Sequence, residues 1–255
     1  MKKIVLAAAL SAAFAAVPSL VMAEDAPTPD WTVAGNAGLS SDYRFRGFTQ
    51  TNYKPAFQGG IDIGHSSGFY AGNWNSNVEQ SLYNGASLEM DFYAGYKNTY
   101  GDLGYDVGYY YYAYPGSGSN GTTNIKNGEI YVGGSYGPVA AKFWYATTDF
   151  FSIKGNGADT KGSWYGELNG AYEVMEGVNV LGHVGYQKIS DGKKVGLVAD
   201  NVTDWKVGAT KDLSGWLLGL AVVGTSEKNL FTTGDSGFIK GAGKTGVVAS
   251  VTKTF

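Results

Sequence analysis

The chain contains no cysteine. Disulfides, a lipid anchor on an N-terminal cysteine, thiolate metal sites and thiol nucleophiles are excluded with it. Histidine is almost as scarce: His65 and His183 stand far apart, no calcium-loop pattern is present, and no cofactor or metal is expected. Charged residues make up only 16% of the chain, and their acidic balance argues against nucleic acid as a partner. Beyond the N-terminal segment no apolar run is long enough for a membrane-crossing helix, so any membrane-spanning part must be built from strands.

The N-terminal segment has the pattern of an export signal. Lys2 and Lys3 precede an apolar stretch, Ile4 to Ala16, and Val21-Met22-Ala23 supplies small residues for cleavage. Residues 1–23 are expected to be removed, leaving a mature chain that starts at Glu24 with a short periplasmic lead-in over 24–30. Loss of the two lysines takes the formal charge from −3 to −5. The apolar stretch is too short to serve instead as a membrane anchor.

What the chain has in abundance is glycine and tyrosine, 39 and 19 residues. Period-two alternation marks twelve segments of spanning length, near residues 31–45, 54–65, 69–78, 86–97, 102–114, 128–136, 139–150, 163–174, 178–189, 202–211, 216–226 and 245–255. The connections alternate between short ones (65–68, 98–101, 137–138, 175–177, 212–215) and long ones (46–53, 79–85, 115–127, 151–162, 190–201, 227–244). Outer-membrane barrels have this arrangement, with short periplasmic turns opposite longer outer loops, and it places both termini in the periplasm. The last strand closes on an aromatic, Phe255, which resembles the signal read by the barrel-assembly machinery. The expected fold is all-β: one closed, antiparallel, up-and-down transmembrane β-barrel over residues 31–255.

One parity of each segment is apolar, as in Leu88, Met90, Phe92, Ala94 and Tyr96, or Trp216, Leu218, Leu220 and Val222. The other carries Asp42, Arg44, Arg46, Asp62, Glu89, Asp91, Asp106, Glu129, Lys142, Glu167, Glu173, His183, Asp204 and Lys206. Alternation alone does not say which face is inside, because a soluble barrel puts its apolar face inward. Sparse charge and two bands of aromatics at the segment ends favour the reverse, with apolar faces on lipid. One band is Trp31, Tyr70, Tyr96, Tyr136, Tyr172, Trp216 and Phe255; the other is Tyr43, Phe57, Tyr111, Tyr145, Trp164, Tyr186 and Trp205.

The stretch Ser41-Asp42-Tyr43-Arg44-Phe45-Arg46-Gly47-Phe48-Thr49-Gln50-Thr51, with Pro55-Ala56-Phe57-Gln58-Gly59-Gly60-Ile61-Asp62 and Ser66-Ser67-Gly68-Phe69-Tyr70-Ala71-Gly72 after it, resembles the TorF family of outer-membrane porins. The match is specific in the first third and looser beyond. The resemblance implies an outer-membrane barrel with pore activity; it brings no substrate and no catalytic residues.

The pore-lining candidates are Asp42, Arg44, Arg46, Asp62, Glu89, Asp91, Asp106, Glu129, Lys142, Glu167 and Lys206. Asp42, Arg44 and Arg46 share one parity near the outer mouth, where guanidinium groups suit a carboxylate or phosphate on a passing solute. They are also suited to pairing with interior acids such as Asp62, Glu89 and Asp91 and filling the lumen, and that role carries more weight. Acids outnumber bases on the inward face, which points to a modest cation preference. Inward Tyr110, Tyr112, Tyr131, Trp144 and Tyr165 suit either a sugar-stacking track or lumen filling, and filling is the commoner use. Interior Gly60, Gly95, Gly104, Gly108 and Gly133 either make room or mark close backbone contacts.

A phospholipase-like barrel enzyme is the alternative class. His65 lies in a turn with Ser66 and Ser67, and His183 is expected to point inward between Asn179 and Gln187, without a serine at matching height on a neighbouring strand. The loops are short for an adhesin or structural barrel. The residues therefore point to a porin passing small polar solutes or ions by passive diffusion, as a monomer in outer-membrane lipid.

Overall fold

Alternating apolar and polar residues bury one face of a strand, and a strand row in hydrocarbon must also pair every backbone group; closure of the sheet satisfies both. In the computed structural model, which describes residues 29–119, 121, 123–231 and 241–255, the sheet does close. The signal segment 1–23, residues 24–28 of the lead-in and residues 232–240 of the last long connection lie outside the described residues.

Twelve antiparallel strands form the wall in chain order: β1 (Trp31–Ser40), β2 (Ala56–His65), β3 (Phe69–Asn77), β4 (Leu88–Tyr100), β5 (Leu103–Ala113), β6 (Lys126–Tyr136), β7 (Val139–Ala146), β8 (Trp164–Met175), β9 (Val178–Lys188), β10 (Asn201–Leu213), β11 (Trp216–Thr225) and β12 (Gly246–Thr254). Each pairs with its neighbours, and β1 joins β12 from Asn36↔Thr254 to Ser40↔Ser250. The seam is extended by Phe255, whose backbone exchanges hydrogen bonds of 2.7 and 2.9 Å with Gly35. No helix among the described residues is long and apolar enough to cross a membrane.

The surface is inside out relative to a soluble protein. Leu220, Val207, Val132 and Ile61 are each more than half exposed, whereas Glu129, Asp91 and Glu89 are at most 1% exposed. That is the surface of a barrel that crosses a bilayer. Most of the expected girdle residues do face outward at the strand ends, Trp31, Phe57, Tyr136, Tyr172 and Trp216 among them. Two do not. Tyr43 is buried against Glu89, and Tyr70 points inward to Asp106 and Tyr131, because each occupies an inward parity or lies off the wall. On β3 the outward parity is apolar only at Phe69 and Ala71 and then turns polar, with Asn73, Asn75 and Asn77 alternating with inward Gly72, Trp74 and Ser76.

The largest departure is at the first strand. It ends at Ser40, five residues short of the expected boundary, and the chain turns into the lumen. There Arg44–Phe45 pairs with Phe48–Thr49 as a small hairpin. Its two-residue turn, Arg46-Gly47, has φ of 45° and 83°, and positive φ at both centres is what a type I′ hairpin turn demands. The seventh strand also ends early, at Ala146, before a short 3-10 turn over Phe150–Ser152.

Candidate functional site: the lumen and its hairpin

Arg46 belongs to the connection that follows β1, yet its guanidinium reaches strands four and five positions around the ring. It makes a forked pair with Glu129 on β6 (3.1 and 2.7 Å), donates to Gln187 Oε1 on β9 (2.6 Å), and lies 4.2 Å from the ring centre of Tyr165 on β8. The hairpin thus crosses the lumen and docks on the far wall. Planar guanidinium suits this seat, since it offers a fork to a carboxylate and a flat face to aromatic rings at once.

The other hairpin side chains fasten the near side. Arg44 pairs with Asp42 and donates to the carbonyls of Gly47 and Lys244, each at 3.0 Å. Asp42 also accepts from Thr49 and Thr51, so one carboxylate ties the two arms of the segment together. Tyr43 donates to Glu89 on β4 at 3.2 Å and meets Trp74 edge-on. Phe45 packs on Tyr112 and Phe151, and Phe48 joins a buried apolar cap with Phe150, Ile189, Leu197 and Leu230 from other loops. Outside the strands, the Lys54 ammonium donates to Glu79 at 2.7 Å and holds that carboxyl below its ordinary range.

The lumen therefore has two halves. At the loop end Glu89, Asp91, Glu129, Gln187 and Asp204 are buried under the hairpin. At the turn end Asp62, Lys97, Asp106 and Lys142 remain partly exposed around a wetter space. Lys142 pairs with Asp106 at 3.0 Å, Tyr93 donates to Asp62 at 2.6 Å, and Lys97 lies over the Tyr70 ring. Between hairpin and wall is a cavity of about 90 Å³, lined by Arg46, Trp144, Tyr165, Glu167, His183 and Lys206 among others.

All eleven pore-lining candidates face the interior, but they are not partnered as the sequence suggested. Arg44 and Arg46 pair with Asp42 and Glu129 rather than with Asp62, Glu89 or Asp91. Those three acids receive tyrosine hydroxyls and have no ion-pair partner among the described residues. Glu167 accepts from Trp144 Nε1 at 2.8 Å and from Asn169 at 3.0 Å. His183 sits between Asn169 and Asp204, each at 2.8 Å, instead of between Asn179 and Gln187, because cross-strand register brings β8 and β10 closer than residues on its own strand. The hydroxyl beside it belongs to Tyr165, not to a serine.

Lys97 and Tyr70 also face the lumen, and the inward parity of their strands is the signal that marks them. At Gly95 and Gly108 the reason for glycine is close contact: the hydroxyl ends of Tyr70 and Tyr131 lie against them, and a methyl on Gly95 would sit 2.6 Å from Tyr70 Oη. Gly72 and Gly185 cradle Tyr93 and Tyr165 in the same way. Gly60 differs, since its close neighbour is the backbone of Asn73.

Among solved structures, a KdgM porin superposes with TM-score 0.52 at 9% identity, covering 88% of this chain and 98% of its own. A NanC porin does so with TM-score 0.52 at 8% identity, covering 88% and 99%. At such identity the likeness is one of fold. No curated protein matches the sequence. Residues 24–255 match the family described as bacterial protein of unknown function (Gcw_chp), and the chain belongs to that family.

Proposed function

We propose that the protein is a porin of the bacterial outer membrane, exported by cleavage near Ala23, that passes small polar solutes or ions by passive diffusion through a lumen narrowed by its first loop. The observation that carries this reading is the pairing of an apolar exterior with an ionisable, partly wet interior. A barrel that only needed to fill itself has no use for Asp62, Lys97, Asp106 and Lys142 in an accessible turn-end half. The likeness in fold to porins supports it, as does the resemblance of the hairpin segment to the TorF family. One structure of similar fold is a KdgM porin in complex with disordered oligogalacturonate.

The surplus of acids favours cations. Arg44, Arg46 and Lys142 are each neutralised by a partner, whereas Asp62, in the accessible half of the lumen, has no base in contact. Planar-bilayer recording of the refolded mature protein tests the reading: a small conductance is expected in the wild type and a larger one when residues 44–49 are replaced by a short glycine-serine link. A sealed bilayer with both proteins would sink it. That result would favour the second reading, a structural barrel, which the near-complete burial of Arg46 and Glu129 supports.

A further inference from the structure

Between the aromatic girdles, the outward positions of β4 to β12 and of β1 and β2 carry aliphatic, aromatic or glycine residues. On β3 they carry Asn73 and Asn75, which pair in register with Ile61 and Gly59 on one side and with Phe92 and Met90 on the other. Both amides therefore lie at the level of hydrocarbon. Their N–H groups bend down onto the sheet: Asn73 donates to the Asp91 carbonyl at 2.8 Å, and Asn75 to the Gly59 carbonyl at 3.3 Å and Asn73 Oδ1 at 2.6 Å. This leaves one N–H of Asn73 and the Oδ1 of Asn75 without a partner among the described residues. Acyl chains have nothing to offer either group.

The neighbouring outward positions are small. Ala37, Gly59 and Asn75 align across β1, β2 and β3, so the sheet has a shallow trough there, bordered by Phe57 and Ile61 at 63% and 57% exposure. A second protein surface can approach a trough of this kind closely, as small residues permit in membrane interfaces. A patch with one free donor and one free acceptor of the same amide type is complementary to itself. A two-fold arrangement supplies each group with its opposite from the identical patch.

We propose that this β1–β3 face is a two-fold contact between two copies of the chain within the membrane, closed by the Asn73 and Asn75 amides of one copy on those of its partner. The proposal rests on the exterior lying in lipid, and it replaces the expected monomer by a dimer. Its test uses the full mature protein in proteoliposomes. Ala37→Cys, on the same face but outside the amide contact, is expected to form a disulfide-linked dimer under mild oxidation, whereas Val184→Cys, at an outward position on the opposite wall, does not. In detergent the wild type is expected to sediment as a dimer, and Asn73→Leu with Asn75→Leu to weaken it about tenfold. Slower migration of the heated than of the unheated sample, or the reverse, reports that the leucine variant is folded. A monomeric wild type, equal cross-linking at Ala37 and Val184, or a folded leucine variant that dimerises unchanged would each overturn the proposal. A monomer with lipopolysaccharide or another protein bound on this face would overturn it as well. Failure of the pore reading is seen separately, as a chain that stays folded without detergent or a bilayer that stays sealed.

Discussion

Replacing Arg46 by alanine tests whether the hairpin is held in the lumen by charge. Its partner Glu129 has a side chain with no exposure, and Arg46 itself keeps only 7%. Removing one member of a buried, hydrogen-bonded pair costs about 3–5 kcal/mol, mostly because the other charge is left without compensation. The cost falls on the seated position of the hairpin, since unseating it gives Glu129 access to water. At ~1.4 kcal/mol per factor of ten, the ratio of seated to unseated hairpin drops by a factor of roughly 100 to 4,000. Single-channel recording should then show longer or larger openings than in the wild type. Protease should cut the 44–49 segment faster in the same sample. Arg46→Lys keeps the charge and loses the fork and the stacking on Tyr165, so it should fall between the two. Adding Glu129→Gln to Arg46→Ala removes the stranded charge and should restore part of the seat. A folded Arg46→Ala channel with wild-type conductance and wild-type protection would refute the reasoning, as would a double variant no better than the single one.

Three further outcomes follow from the same geometry. Gly108→Ala places a methyl against the Tyr131 hydroxyl and should lower stability to urea by about 1–3 kcal/mol, while Gly134→Ala, with nothing closer than 3.7 Å, should be near neutral; equal effects would remove the cradle argument. Reversal potentials in a salt gradient should show a modest cation preference that Asp62→Asn reduces, and a clear anion preference would reject the surplus of acids as its source. Deleting Phe255 removes both backbone hydrogen bonds to Gly35 and should cost about 1–3 kcal/mol of barrel stability, read as a lower urea midpoint of the folded band; an unchanged midpoint would mean the seam does not need it.

The wall was legible because every one of its strands has to repeat the same two-sided pattern, and alternation survives even where boundaries slip. The hairpin was not, although the same alternation ran through it. Asp42, Arg44 and Arg46 continue the parity of β1, and an extended hairpin arm looks like an extended wall strand until its partner is known. The local sign was Arg46-Gly47 between two aromatics, a type I′ turn that needs only its two residues to be noticed. What no local pattern carries is the choice of Glu129 and Gln187, 83 and 141 residues further along, as the seat. The displaced girdle residues fail for a related reason. Nearness to a strand end puts Tyr43 and Tyr70 in the girdle, whereas parity, which puts Tyr70 with Trp74 and Ser76, is the better guide. The partners of His183 show the limit of reading along one strand, because sheet register decides which side chains touch.

The division of the lumen makes the hairpin and the pathway partly separable. At the loop end the same groups fill the interior, hold the hairpin and line what space is left, so a change at Glu129 or Gln187 alters closure and lining together. At the turn end Asp62 and Lys97 contact Tyr93 and Tyr70 on the wall and do not touch residues 44–49. On the proposed pore reading, a solute meets them whether the hairpin is seated or not. Substitutions there should therefore change selectivity at constant opening, while substitutions at Arg46 change opening first. If ion preference instead followed Arg46 and ignored Asp62, the narrow point that selects would be the hairpin itself, and the wet half would be only an entrance.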